Sequence, residues 1–264
     1  MAILGLKSKM IKNLRDNCSK NFSEKGYPSR QNENWKFTSS RELAKFENEV
    51  DSDFKVEHIE NDNNTLLFIN GVLDKISLDK FNYKDELKVI NINELKDDVI
   101  LKFSDNFLNE SLFNLGIMNF KEGYYFKFDK NVFIDEPIKI VNYYNASQDQ
   151  SRIVSFNIFH VQSGSEISFV EEDINVGKDS FNLKLNKFLC DESSVLKCGK
   201  FFEGKVNNHL LSYNYFTLQK DSILNIDGLN KESIFNKEFI EIDLEDKGLS
   251  LIHISGPTRP RLIS

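Results

Sequence analysis

Cysteine is scarce in this sequence, which has 264 residues and three cysteines, at Cys18, Cys190 and Cys198. An odd and sparse set does not build a disulfide framework, and it is typical of a reducing compartment. The segment Met1–Lys12 alternates apolar residues with lysine and lacks the continuous apolar stretch of a signal peptide. There is also no apolar run of the roughly 18 residues that a membrane-spanning helix needs. We therefore expect a cytoplasmic protein that does not associate with membranes.

Motifs for nucleotides and for common hydrolytic chemistry are missing as well. The sequence contains no GxGxxG or GxxxxGK[ST] loop, no GxSxG elbow and no HExxH helix. ATP binding, if it is involved at all, then belongs to a partner. The net charge of −7 does not attract the phosphate backbone of nucleic acids. Nucleic-acid binding is therefore not expected.

The composition that remains is that of an ordinary globular protein, with 40% hydrophobic and 28% charged residues. Residues 3–22 place apolar side chains on one face at helical spacing, and Pro28 disfavours helical backbone just after them. We predict a helical and loop region over residues 1–64. A β core over residues 65–248 follows, with a short helical insertion near 105–118.

Strand-like runs dominate from Tyr124 onward, and part of the pattern repeats. A serine followed by two alternating apolar residues occurs at Ser165, Ser194 and Ser222, at intervals of 29 and 28 residues. Such self-similarity predicts a mainly β protein with a β-solenoid, most simply a parallel β-helix. An antiparallel sandwich or barrel is the alternative. The predicted strands are 124–128, 138–144, 152–161, 166–171, 181–189, 195–202, 209–218, 223–227 and 238–244.

Metal ligands and catalytic groups have few candidates. Cys190 and Cys198 can bind iron or zinc as thiolates, and His209 is a further weak candidate. A usable site needs about three or four ligands, and no CxxC pair is present. Cys198 falls at an inward position of the repeat, where it acts as a small hydrophobic side chain. We therefore predict no metal site and no catalytic residue, and we assign no cofactor-binding residue.

The acidic run Glu171–Asp173 allows two interpretations. Paired carboxylates can hydrolyse glycosidic bonds, which gives a carbohydrate-active parallel β-helix enzyme as an alternative function. Those enzymes are typically secreted, whereas this sequence shows no export signal. We therefore favour a solvated run of charges in a turn.

The segment Pro28–Thr38 resembles the N-terminal segment of SufD and SufB proteins, in which Pro and Arg precede an acidic residue and Trp-(Lys/Arg)-aromatic-Thr. Trp35–Lys36–Phe37–Thr38 matches it closely. A series of weaker landmarks follows in the family's order, and together they extend the resemblance over residues 28–245. These landmarks are Asn70–Gly71–Val72, Glu136–Pro137–Ile138, Ser151–Arg152–Ile153–Val154, Gly164–Ser165–Glu166–Ile167 with Glu171, Asp221–Ser222 and Lys237–Glu238–Phe239.

The resemblance implies a right-handed parallel β-helix core between helical N- and C-terminal regions. SufD-like proteins pair with SufB, and SufC ATPases dock on the complex, which assembles iron–sulfur clusters. The resemblance thus implies a non-catalytic scaffold subunit that holds no cofactor of its own, with the iron–sulfur cluster handled by the complex. The SufB paralogue is the alternative within the family, but SufB chains are longer at the N-terminus and richer in cysteine.

The last residues, 249–264, differ in character from the rest. Leu249–Ser255 followed by Pro257–Thr258–Arg259 resembles the translation of a transposase adaptor used in sequencing libraries, although Gly256 stands where that translation has Glu. We expect this tail to be non-native and the family's C-terminal helical region, with its SufC-docking surface and interface histidine, to be missing. One observation opposes this, because Ser250 repeats the solenoid pattern 28 residues after Ser222.

Overall fold

The computed structural model describes residues 2–50, 62–95, 101–203, 208–230, 235–245 and 248–255. Within these ranges the chain is mainly β, and its α-helices are α1 (Ala2–Lys25), α2 (Lys75–Lys80), α3 (Asp105–Asn109) and α4 (Ser111–Asn119). The early strands are β1 (Asn48–Glu49), β2 (Thr65–Ile69), β3 (Val72–Leu73), β4 (Leu87–Asn91), β5 (Gly123–Phe128) and β6 (Ile138–Tyr144). The later strands are β7 (Ser151–Val161), β8 (Glu166–Asn175), β9 (Ser180–Cys190), β10 (Val195–Glu203), β11 (Asn208–Leu218), β12 (Ile223–Asn230), β13 (Phe235–Leu244) and β14 (Leu249–Ser255).

From β5 onward the strands alternate between two sheets, and the chain winds into a parallel β-solenoid of about four turns. The first sheet has the order β13-β11-β9-β7-β5-β4, and the second has the order β14-β12-β10-β8-β6-β2-β3. Consecutive strands within each sheet belong to consecutive coils, so each coil buries its apolar side chains against its neighbours. Only the outlying pairs β2–β3 and β4–β5 are antiparallel among the described strands. The predicted solenoid is confirmed.

The repeated serines close the turn from the first sheet to the second. Ser194 donates its hydroxyl to the carbonyl of Asp191 at 2.7 Å, and Ser222 does the same to Gln219 at 2.6 Å. Both serines are fully buried, and each turn hydrogen bonds to the next coil through its backbone. The serine satisfies a turn carbonyl that would otherwise be buried without a partner. Ser165 holds the same position but donates its hydroxyl to the carbonyl of Asp129 in the preceding coil at 2.7 Å, so in all three coils the serine satisfies a turn carbonyl.

The residue before each of these serines adopts a left-handed backbone. Gly164, Ser193 and Asp221 have φ values of 73°, 59° and 56°. A side chain in this conformation costs roughly 1–2 kcal/mol, and glycine avoids that cost. The same turn therefore carries strain in two coils and none in the coil of Gly164.

Replacing Gly164 with alanine should therefore lower the free energy of unfolding by about 1–2 kcal/mol. The new Cβ would also lie 2.5 Å from Oδ1 of Asn131. Urea denaturation measures the change, and Gly199→Ala is the control, because a Cβ at Gly199 meets its nearest atom at 3.6 Å. An equal loss in both variants would contradict the left-handed turn.

The solenoid interior contains an aromatic stack. Phe126, Phe159, Phe188 and Phe216 lie in register on successive strands of the first sheet, with centroids 5.0, 5.1 and 4.4 Å apart. Their rings are nearly parallel, with interplanar angles of at most 14°. Branched side chains from the second sheet, such as Ile167, pack opposite them. This stack forms the apolar half of the interior.

The outer face of the first sheet is covered by the N-terminal region and by α3 and α4. Trp35 and Phe46 are fully buried there, and Phe107 and Phe113 pack edge-on against Tyr213. The first sheet is therefore buried on both faces. The predicted N-terminal helical region is confirmed, with α1 running over Ala2–Lys25. None of the helices in the described ranges is both long and apolar enough to cross a membrane.

The helical insertion predicted at 105–118 is two helices rather than one. Glu110 separates α3 from α4 with an extended backbone, at φ −76° and ψ 119°. Its carboxylate accepts hydrogen bonds from Trp35 Nε1 at 3.3 Å and from Asn34 Nδ2 at 2.6 Å. A contact with a distant segment thus interrupts a run whose apolar spacing alone favours a single helix.

Part of the tail that we expected to be non-native forms a strand. Residues 249–255 make β14, which pairs in parallel with β12 and places Ile252 opposite Ile226. The register does not follow the serine repeat, because Ser250 lies opposite Leu224 and Gly248 precedes the strand where Ser222 precedes β12. Residues 256–264 of that tail lie outside the described residues.

Candidate functional site

Half of the solenoid interior is polar, and an asparagine ladder runs through it. Asn157, Asn186 and Asn214 lie in register on β7, β9 and β11. Asn186 donates its side-chain amide to Oδ1 of Asn214 at 3.0 Å. Such ladders stabilise stacked parallel strands. The sequence analysis missed these residues, although their intervals of 29 and 28 residues equal those of the repeated serines.

Beside this ladder lies a buried ion cluster. Lys184 on β9 places Nζ 2.9 Å from Oε1 of Glu171 and 2.6 Å from Oδ2 of Asp173. Tyr144 donates its hydroxyl to Oδ1 of Asp173 at 2.9 Å, and Asn142 donates its amide to Glu171 at 2.8 Å. We call these five residues the lysine cluster. It joins three consecutive coils and both sheets.

The electrostatics of the cluster follow from burial and from the single ammonium that the carboxylates share. Burial opposes ionisation of Glu171, but the charges of Lys184 and Lys200 hold its pKa below the usual value. Burial, with help from the charge of Glu171, raises the pKa of Asp173 despite the attraction of Lys184. The carboxylates outweigh burial at Lys184 and raise its pKa. Lys184 is therefore a firmly charged cation that bridges two carboxylates.

A second polar group extends the column toward the last coil. Lys200 forms an ion pair with Glu238, and Asn214 donates its amide to the same carboxylate at 2.7 Å. A cavity of about 20 Å³ lies beside Glu171, Asn186 and Lys200. The lysine cluster and this second group therefore lie near each other along the interior.

The three weak metal candidates do not meet in one place. Cys190 and Cys198 lie in the apolar half of the interior, whereas His209 lies on the outer face of the first sheet, 4.8 Å from the ring of Phe46. Burial raises the pKa of Cys198 to about 12 and also raises the pKa of Cys190. These shifts disfavour the thiolate, which is the form that acts as a nucleophile and as a metal ligand. Among the described residues, no group of three or more His, Cys, Asp or Glu side chains converges.

The interpretation of Glu171–Asp173 as a solvated turn is wrong. The run lies within β8, and alternation points Glu171 and Asp173 into the coil while Glu172 points outward. The site also offers little to a carbohydrate enzyme. Asp173 is only 4% exposed, and both carboxylates bind the same ammonium, which leaves no room for a sugar between them.

His160 on β7 joins two other side chains near the turn after β9. His160 accepts or donates one hydrogen bond with the hydroxyl of Tyr125 at 2.6 Å and another with the carboxylate of Asp191 at 2.9 Å. Tyr125 lies on β5, His160 lies on β7, and Asp191 lies in the turn after β9, so the three side chains connect three consecutive coils. We interpret them as a structural contact between coils.

Comparison with known proteins leaves the chain unassigned. No family model matches it, and a search of curated proteins finds no match. The function is therefore inferred from the residues and their geometry.

Proposed function

We propose that this chain is a scaffold subunit of a SUF-type iron–sulfur cluster assembly complex, which acts in the cytoplasm with a SufB-type partner and the SufC ATPase. The observation that carries the proposal is the open end of the solenoid. Leu244 continues the interior column of Cys190 and Leu218, yet it is 49% exposed. Ile252 continues the column of Ile226 on the second sheet and is also half exposed. Side chains at positions that are interior in the earlier coils are exposed at this end, because no described coil covers them.

The backbone at this end favours a protein partner. Among the described residues, β13 pairs on one side only, which leaves a ten-residue strand edge open. An open edge beside exposed apolar side chains is a template for pairing with another chain. A second solenoid that docks here would extend the first sheet and cover Leu244.

The chemistry of the interior supports a scaffold over an enzyme. The lysine cluster is closed to substrates, and its carboxylates are neutralised by a lysine, so it serves to hold the coils in register. In the proposed complex, ATP hydrolysis falls to SufC and the iron–sulfur cluster is cargo of the assembly. The resemblance of Pro28–Thr38 to the SufD segment supports the choice of complex.

Replacing Leu244 with glutamate should weaken association with the SufB-type partner at least about tenfold, because a charge would be buried in an apolar contact. The full chain, with its SufB and SufC neighbours from the same genome, is co-expressed and purified through one tagged subunit. Val170→Glu is the matched control. Val170 is 37% exposed, and it lies on β8, which is an inner strand of the second sheet and is away from the open end.

Co-purification with the wild-type chain and with the control, but not with Leu244→Glu, is the expected result. Leu244 precedes residue 249, so the test does not depend on the tail. A wild-type chain that purifies alone, without either neighbour, would overturn the scaffold proposal.

A further inference from the structure

A cavity separate from the solenoid interior lies in the N-terminal region. It measures about 530 Å³, against about 30 and 20 Å³ for two other cavities of the described chain. Its walls are two limbs of one loop, residues 28–31 and 38–41, and the limbs are joined where Ser40 donates its hydroxyl to the carbonyl of Pro28. Small-molecule pockets typically have about 300–1,000 Å³. The cavity therefore has the size of a ligand site.

Seven of the eight residues that line the cavity have a side chain that can donate a hydrogen bond, and several of these side chains have no partner among the described residues. Arg30, Arg41, Thr38 and Ser39 form no side-chain hydrogen bond or ion pair with any described residue. No carboxylate is among the described residues that line the cavity. The cavity thus presents two unpaired guanidinium groups and two free hydroxyls.

The loop is held in place by its neighbours before any ligand binds. Trp35, midway between the limbs, is fully buried and donates its ring N–H to Glu110. Its ring stacks on Phe235 of β13, with centroids 6.3 Å apart. Within the first limb, Asn32 N–H donates to the carbonyl of Ser29 at 3.0 Å. A loop that is already ordered loses little conformational entropy when it binds a ligand.

This chemistry matches a phosphate group. A guanidinium binds phosphate oxygens with paired, charge-assisted hydrogen bonds, and hydroxyls complete the contacts to the remaining oxygens. A nucleic-acid strand does not fit, because the net charge of −7 repels a polyanion. We propose that this cavity binds the phosphate group of a small molecule through Arg30 and Arg41. The site is independent of the open solenoid end and of the scaffold proposal.

Isothermal titration calorimetry of the full chain in a chloride buffer tests the site, with inorganic phosphate, glycerol 3-phosphate and glycerol as probes. Arg30→Gln and Arg41→Gln should each weaken phosphate binding at least about tenfold, and the double variant about a hundredfold. Lys130→Gln is the control, because it removes the same charge from an exposed turn after β5.

The outcomes separate the two sources of phosphate. Tighter binding of glycerol 3-phosphate than of inorganic phosphate, with no binding of glycerol, identifies a phosphate ester as the ligand. Equal affinity of the two identifies the free anion, and both results support the site. The proposal is overturned if no phosphate probe gives saturable binding, if the double variant binds as well as the wild type, or if Lys130→Gln loses as much.

Discussion

Replacing Lys184 with methionine is expected to lower the free energy of unfolding by about 3–5 kcal/mol. The substitution keeps most of the buried chain but removes the ammonium that Glu171 and Asp173 share at 2.9 and 2.6 Å. Asp173 is then left in the solenoid interior without a counterion, and Glu171 keeps only the charge of Lys200. Urea denaturation followed by circular dichroism measures the change.

The matched control is Lys197→Met. Lys197 pairs with Glu166 at 2.5 Å, but both side chains are more than 40% exposed. An exposed pair contributes about 0–1 kcal/mol because water screens it. A similar loss in both variants would show that the lysine cluster is not buried in solution.

The loss in free energy of unfolding caused by Lys184→Met should depend on pH, and burial of the carboxylates determines whether it grows or shrinks as the pH rises. Burial already raises the pKa of Asp173 in the folded state, and removal of the ammonium raises it further above the unfolded value of about 4. A group with a raised folded pKa contributes stability below its unfolded pKa and loses it as the pH rises. The loss should therefore be small near pH 4 and should grow toward pH 7. A loss that is constant over this range would count against buried carboxylates.

Replacing Phe188 with alanine should also lower the free energy of unfolding by about 3–5 kcal/mol. The ring lies between Phe159 and Phe216, with centroids 5.1 and 4.4 Å away and nearly parallel planes. Its removal opens a cavity in the middle of the stack and breaks two ring contacts, and the backbone of the coils above and below cannot collapse to fill it. Thermal and urea unfolding both report the change.

Phe201→Ala is the control with the same chemical change. Phe201 is 45% exposed on β10, so we expect a loss of less than about 1 kcal/mol. If the two variants lost equal stability, Phe188 would not be stacked inside the coil.

The strand pattern was predictable from local sequence, and the reason is the repeat. Side chains alternate along the strands, and a serine recurs before β8, β10 and β12, so the strand series was predictable, and 138–144 was predicted at its true bounds. The bounds of β7, predicted at 152–161, were off by one residue. The short helix α2 was missed, although Asp74 caps it by accepting from the N–H of Ser77. Six residues are too few for a clear periodicity.

The candidate site was less predictable, because alternation alone does not say which face of a strand is interior. β9 is buried along nearly its whole length on both faces, so its sequence does not separate Lys184, which points inward, from Lys187, which points outward toward Phe103. Glu171 and Asp173 looked like solvated charges for the same reason. The asparagine ladder was accessible to sequence analysis, since it shares the intervals of the serines.

The sequence by itself determined the solenoid, because the strands alternate apolar and polar residues and three consecutive coils carry a serine at nearly constant intervals. Only the tertiary structure decided where the charges go. Lys184 meets Glu171 and Asp173 from the next strand once the coil closes, and Glu110 breaks a helix because Trp35 reaches it from a distant segment. Pairings between different segments depend on three-dimensional packing and on the high cost of an unpaired buried charge, and neither is written in local periodicity.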